Sequence, residues 1–275
     1  MRRCLFLIPL LVSSAACSSA EDVVEAVGIE SASLEGAAQE ETSQAVSIAH
    51  DDAEGGGVFD FDYDWPAEVT AEAGLAAQLR GEADELHTAA RAEWREMVAS
   101  VPEDCASCAR YGQATTWKVV ADLPRFLSLS VDRYLYSGGA HGNYGHGGLV
   151  WDRKEQAGLA PIDVFRSPQG FADAVRSRYC SALDAMREER RGMEVDETGD
   201  DLFDTCPAIE ELTVLLGSSD GQRFNRIGLV ADPYVAGPYA EGTYEITLPV
   251  DTAILDAVRP AYQGAFALAP RKTAD

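Results

Sequence analysis

The sequence predicts an α+β fold, an antiparallel sheet with two main helices, arranged as a small N-terminal α+β subdomain followed by a larger α+β domain. Three observations carry that expectation. Two long stretches repeat apolar residues at helical spacing, several shorter ones alternate apolar and polar residues or run apolar between turn signals, and the two kinds do not alternate as βαβ units would.

Taken from the N-terminus, Arg2 and Arg3 precede an apolar run from Leu5 to Val12 and the small residues Ser13, Ser14, Ala15 and Ala16. This is the pattern of a secretory signal peptide over residues 1–17, too short to span a membrane. Cys17, directly after Ser-Ala-Ala, resembles the acylated cysteine of a lipobox, although Ser14 stands where such motifs carry Leu or Val. Simple cleavage near Ala16 is the alternative. By resemblance to Gram-negative sorting rules, Ser18 favours the outer membrane, so the expected location is periplasmic with a lipid anchor as the membrane contact. Residues 18–57 hold ten acidic residues, no Lys or Arg, and no Phe, Trp or Tyr, and they read as a disordered acidic tether.

The expected subdomain over 58–124 opens on VFDFDYDW, where Phe59, Phe61, Tyr63 and Trp65 alternate with Asp60, Asp62 and Asp64. Period-two alternation predicts a strand with an aromatic face buried and an acidic face wet. A calcium loop would need a turning Gly at Trp65 and a carboxylate at Ala71. Between Thr70 and Ala99, Leu75, Leu79, Leu86, Ala90, Trp94 and Val98 recur every three to four residues, predicting a long amphipathic helix with His87 at its surface. Pro102 ends it.

In the expected domain over 125–275, Leu127, Leu129, Val131 and Leu135 alternate with Ser128, Ser130, Asp132 and Tyr134 as a half-buried strand. GLVWD reads as the next strand and PIDVFRSP as a short extended piece. A second helix from Gln169 to about Arg190 carries Phe171, Val175, Tyr179, Leu183 and Met186 on one stripe. An acidic loop from Glu194 to Asp204 follows, then strands in IEELTVLLG, FNRIGLVAD and GTYEITLPV, and a short helix from Thr252 to Val258.

Four cysteines remain besides Cys4 and Cys17, an even number in an exported chain, which reads as two disulfides. Pairing Cys105 with Cys108 and Cys180 with Cys206 closes the shortest loops. A redox Cys-x-x-Cys would need a strand before the first cysteine and a helix starting at it, whereas this one follows a helix end. No second such pair completes a zinc site. The net charge of −24 repels nucleic acid and favours cationic partners.

Between two of the strands lies YLYSGGAHGNYGHGG, from Tyr134 to Gly148. It lacks the Gly-x-Gly-x-x-Gly and Gly-Lys-Ser/Thr patterns and precedes a strand rather than a helix, so it is not a phosphate cradle. His141 and His146 lack the helical spacing of zinc motifs; a third ligand would have to come from Asp152 or Asp163, and neither a metal nor a cofactor is expected. Gly138 and Gly139 permit positive φ, and Tyr134, Tyr136 and Tyr144 can cover the loop, so a structural role leads.

These residues also carry a resemblance. Tyr136 with Gly138, Gly139, His141 and Gly142, then Asp163 with Phe165, then Pro233 with Tyr234, and Tyr239 to Gly242 match the motif blocks of the exported family shared by the anti-sigma factor RsiV and the N-terminal region of the deacetylase PdaC. FDYDWPAEV and the long helix resemble the small domain of unknown function that commonly precedes it, so the likeness spans about Val58 to Phe266. RsiV-like proteins bind lysozyme outside the cell, while PdaC carries catalysis in a separate domain; no His-x-x-x-His deacetylase motif occurs in this sequence.

The expected function is therefore a non-enzymatic, lipid-tethered periplasmic protein that binds peptidoglycan or a cationic protein such as lysozyme. The acidic loop, through Asp200, Asp201 and Asp204, and the glycine loop are the expected contacts. The alternatives are an envelope-polymer hydrolase using His141 with a carboxylate such as Asp163, and a purely structural envelope lipoprotein.

Overall fold

Nine strands and two main helices make up the computed structural model, which describes residues 43–102, 105–195 and 203–270. The signal peptide, Cys17, residues 18–42 of the expected tether, and Asp200 and Asp201 lie outside the described residues.

The expected tether ends earlier than residue 57. β1 (Val46–Glu54) and β2 (Gly57–Trp65) form an antiparallel hairpin, in register from Val46 opposite Trp65 to Glu54 opposite Gly57. Its two-residue turn, Gly55–Gly56, takes φ of 58° and 84°, the doubly positive geometry that matches strand twist. The acidic composition hid the strand because its inward face carries only Val46 and Ile48 as apolar residues, packed beside the β2 aromatics.

A helical turn, Ala67–Thr70, leads into α1 (Ala73–Ser100), which buries Leu75, Leu79, Ala83, Ala90 and Trp94. α1 supplies the long crossover that a parallel pair requires, so β3 (Arg110–Asp122) runs parallel to β2. β4 (Phe126–Tyr136), β5 (Asn143–Asp152) and β6 (Ala157–Leu159) then add antiparallel, giving one mixed six-stranded sheet in the order β1 to β6. The α+β fold with two main helices is as expected, and the large sheet is antiparallel except at the β2–β3 joint. The expected boundary at 124/125 falls in the turn of the β3–β4 hairpin, whose strands pair over most of their length, and residues from Ser43 onward form one unit.

The glycine-rich stretch is a connection only from Ser137 to Gly142; from Asn143 it is strand, held by pairing Tyr144 with Tyr134 and His146 with Asp132. PIDV forms a 3-10 turn, Pro161–Val164, rather than an extended piece. α2 (Pro168–Arg191) starts where Ser167 caps Gly170 N at 3.0 Å with Pro168 at the first position, and ends on left-handed Gly192. β7 (Thr213–Gly217), β8 (Arg226–Ala231) and β9 (Tyr244–Pro249) make a second, antiparallel sheet, followed by α3 (Thr252–Ala257). Both expected disulfides, Cys105–Cys108 and Cys180–Cys206, are formed.

Two cores result. One lies between α1 and the inner face of the large sheet, around Phe59, Phe61, Tyr63, Trp94 and Trp117; each such side chain contributes ~1.5–3 kcal/mol by leaving water. The other joins α2, α3 and the small sheet to part of the outer face, where Phe126 and Val150 are buried. His87, expected at the surface, is half-buried: its ring stacks on His50 of β1 at 3.9 Å, and its Nε2 is buried without a hydrogen-bond partner.

Candidate functional site: an acidic and tyrosine-lined trough

Alternation along paired strands sorts the large sheet's side chains by face. Away from α1, one cross-strand row reads Asp62, Ala114, Tyr134, Tyr144, and the next reads Asp64, Thr116, Asp132, His146. Asp60, Gly112 and Tyr136 form the row on the other side. Farther along this face β7 covers the sheet, since a Cβ at Gly148 would lie 2.7 Å from the Val214 carbonyl. The rows from Asp60 to Asp132 stay open, and His146 at the end of the last row is met by Asp232.

Small residues on β3 lower the middle of this open half. Gly112, Ala114 and Thr116 form a floor between the β2 carboxylates and the β4 rings, leaving a groove of about 470 Å³ along Asp60, Asp62, Tyr134 and Tyr136. A second groove of about 270 Å³, by Thr116, Asp132, Tyr144, His146 and Thr243, shares Ala114 and Tyr134 with it. The two make one trough.

The trough is electronegative. Arg110 pairs with Asp60 at 3.2 Å and Lys118 with Asp132 at 2.5 Å, near its two ends. Asp51, opposite Asp60 on β1, and Asp62 and Asp64 have no ion pair among the described residues. Desolvation, reinforced by the like charges of Asp64, Asp51 and Asp60, raises the Asp62 pKa above the ordinary carboxylate value.

A strip of rings continues the far wall. Tyr134 packs on Tyr144 at 5.1 Å between centroids, Tyr144 on Tyr239 at 6.2 Å, and Tyr239 on Tyr234 at 5.9 Å. Tyr144 and Tyr234 are 53% and 55% exposed, large phenolic surfaces available to a ligand. Tyr234 sits at φ 73°, a strained backbone for a non-glycine residue, in a turn closed by hydrogen bonds to Gly237 and Asp232.

α2 fixes the segment that bears these rings. Buried Arg187 donates to the Ala236 carbonyl through Nε at 3.0 Å and Nη2 at 2.9 Å. Arg190 donates to the Glu241 and Thr243 carbonyls, and Arg191 pairs with Glu241 at 2.9 Å. The turn that starts at Asp232 is then tied to β5: His146 N donates to Asp232 Oδ2 at 3.2 Å, and His146 Nδ1 bonds Asp232 Oδ1. His146 Nε2 lies 3.8 Å from Asp132. The Asp232 bond raises the His146 pKa against the opposing effect of burial, and the charges of Asp232, Asp132 and Glu245 add to the rise. These two bonds from one residue to one carboxylate make a clamp joining β5 to the Asp232 turn.

Of the residues singled out from sequence, the structure joins most of the motif. Tyr136 donates to the Gly139 carbonyl at 3.0 Å, Gly138 and Gly139 take φ of 92° and 96°, and a Cβ at Gly142 would overlap the Tyr134 ring. His141 stacks on Tyr239 at 3.8 Å, and Tyr239 donates to the Gly142 carbonyl at 2.9 Å. Asp163 stands apart, exposed in its 3-10 turn, and no hydrogen bond or ion pair joins it to His141 among the described residues. The carboxylates belong to His146, which the sequence offered only as a metal-ligand candidate beside His141; its partner Asp232 lies beside the Pro233–Tyr234 block, the one available signal. Asp204 is already paired with Arg191 at 2.7 Å and is not a free contact.

The family model described as "Deacetylase PdaC" matches residues 54–144. A solved DUF3298 family protein from Pseudomonas aeruginosa PAO1 is similar at 19% identity, over 82% of this chain and 97% of that one, with a TM-score of 0.52. A second DUF3298 family member, from Bacteroides fragilis NCTC 9343, is similar at 16% identity, over 81% of this chain and 96% of that one, with a TM-score of 0.50. No curated protein matches the chain.

Proposed function

We propose that this chain, a PdaC/RsiV-like domain with the fold of the DUF3298 proteins, is an exported, lipid-anchored and non-enzymatic module that recognises a ligand of the cell envelope. The ligand is a cationic protein, lysozyme being the type case, taken along the trough. One observation carries this reading: an open groove walled by Asp60, Asp62 and Asp132, with Asp64 beside Thr116 on the same face, over a floor of small residues and with exposed phenol rings along its far side. Carboxylates steer a basic partner and raise its encounter rate. Tyrosines supply large contact area at low entropic cost and take cations on their faces.

The exposed Tyr144 ring beside Asp132 and Thr243 also suits stacking on a sugar, so peptidoglycan is the second arm of the test. Residues 43–275 would be measured against lysozyme across a salt series and against sacculi by co-sedimentation. The double variant Asp62→Asn, Asp64→Asn is expected to slow lysozyme association about tenfold at low salt, and Tyr144→Ala to speed dissociation. Unchanged association in the double variant removes the trough from the reading; sacculus binding lost in Tyr144→Ala, without lysozyme binding, moves the ligand to peptidoglycan.

A further inference from the structure

The small sheet carries a groove of about 720 Å³, lined by Arg226, Thr247, Pro249, Val250, Leu268 and Pro270. None of these residues lines the trough. Across β8 and β9, Arg226 pairs with Pro249 and Gly228 with Thr247, so alternation puts Arg226, Thr247 and Pro249 on one face, opposite to buried Ile227 and Leu248. The other wall is the C-terminal stretch. Ala267 N donates to the Phe224 carbonyl at 3.0 Å and Ala269 N to the Val250 carbonyl at 2.9 Å. The backbone is pinned on either side of Leu268, whose side chain is 53% exposed and forms a fixed apolar wall facing Pro249.

One guanidinium stands at this apolar surface. Arg226 donates through Nη1 to the Asn225 carbonyl at 2.9 Å, and the same oxygen accepts from Val250 N at 3.1 Å, which places the guanidinium beside the Val250 backbone that lines the groove. Its Nε and Nη2 have no partner among the described residues. Those two atoms make the fork that fits a carboxylate, and Arg191 uses it to hold Glu241 at 2.9 and 3.2 Å. Asp251, the acidic residue that also lines the groove, is already engaged: it pairs with Arg178 at 3.2 Å and caps Ile254 N at 3.0 Å. The groove therefore offers one unanswered positive charge in a chain of net charge −24.

We propose that this groove binds a small amphipathic anion, a carboxylate that carries an apolar group. The carboxylate takes the open fork of Arg226, and the apolar group lies between Pro249 and Leu268. A neutral ligand would leave the guanidinium unpaired as water is displaced, and a bare anion would leave the apolar walls wet, so the site favours molecules that have both parts. The volume is that of a small-molecule site, and apolar walls with a few placed polar groups are its usual make-up. A fatty acid and an N-acylated amino acid share this chemistry.

The test is an NMR titration of the full chain with hexanoate and with N-acetyl-leucine, using hexanol, N-acetyl-leucinamide and acetate as controls that lack one part. Saturable shifts at Thr247, Val250 and Leu268 are expected. Neutralising the carboxylate should weaken binding about tenfold or more, the value of one charge-assisted contact, and acetate should bind more weakly than hexanoate. Tighter binding of N-acetyl-leucine than of hexanoate assigns the site to N-acylated amino acids; the reverse assigns it to fatty acids. Arg226→Gln should bring hexanoate down to the affinity of hexanol with melting unchanged, and Leu268→Ser should weaken both. Equal binding of hexanoate and hexanol to the wild type, a preference for the acid that survives in Arg226→Gln, or no saturable shifts at millimolar concentration overturns the proposal. If Arg226→Gln fails to fold, the neutral controls and Leu268→Ser decide.

Discussion

Replacing Asp232 by Asn tests the clamp that joins the Asp232 turn to β5. The variant keeps the size of the side chain and an acceptor for His146 N, and removes the charge that His146 Nδ1 faces. A hydrogen bond to a charged group is worth about 1.5–3 kcal/mol; the side chains of His146 and Asp232 are 19% and 29% exposed, so the lower half of that range applies. The pH dependence discriminates further. His146 has a raised pKa in the folded state, so its contribution is fully present below about pH 6.5, the ordinary histidine value, and is lost as pH rises through the folded value. Urea denaturation of wild type and Asp232→Asn from about pH 5.5 to 8.5 should show a gap that narrows with rising pH, and NMR should find the His146 pKa lowered in the variant. A gap that stays constant, or a wild-type His146 titrating at or below about 6.5, would refute the reasoning.

Further outcomes are expected elsewhere. His87, whose pKa is lowered first by burial and then by His50 and Arg91, resists protonation in place. Stability should therefore fall as pH drops below about 6.5, and His87→Gln should flatten that fall, with hydrogen exchange in β1 as the readout. Gly142→Ala forces Tyr134 to move and should cost ~1–3 kcal/mol in thermal denaturation, whereas a Cβ at Gly264 meets nothing within 4 Å and Gly264→Ala should be close to neutral. Replacing Cys180 and Cys206 with Ser opens a cross-link across 26 residues and should cost about 3 kcal/mol. Replacing Cys105 and Cys108, three residues apart, should cost less in the same assay.

The parts of the fold that could be read from sequence are those where one local rule dominates. Phe59 to Trp65 alternates without a break, and α2 announces both ends through Ser167-Pro168 and Gly192. β1 was not legible because only Val46 and Ile48 mark its buried face within an acidic run. Asn143 to Gly148 read as loop because glycine weakens a strand by itself; pairing with β4 decides its conformation. The motif lies beside the trough, yet the pairing of His146 with Asp232 spans 86 residues and leaves no periodic trace. The trough likewise needs four strands, β2 to β5, in register before its carboxylates, small residues and phenols share one surface.

The β1–β2 hairpin also sets how the domain answers a mechanical load. β1 is the edge of the sheet, and its first residues lie at the open end of the hairpin, where Val46 faces Trp65. Tension applied at the start of β1 across the strand acts on one pair of residues at a time, peeling the strand toward the Gly55–Gly56 turn instead of shearing all its hydrogen bonds together. A domain pulled from this end lengthens stepwise at low force, and β2 to β5, which carry the trough, stay assembled while the first strand acts as slack.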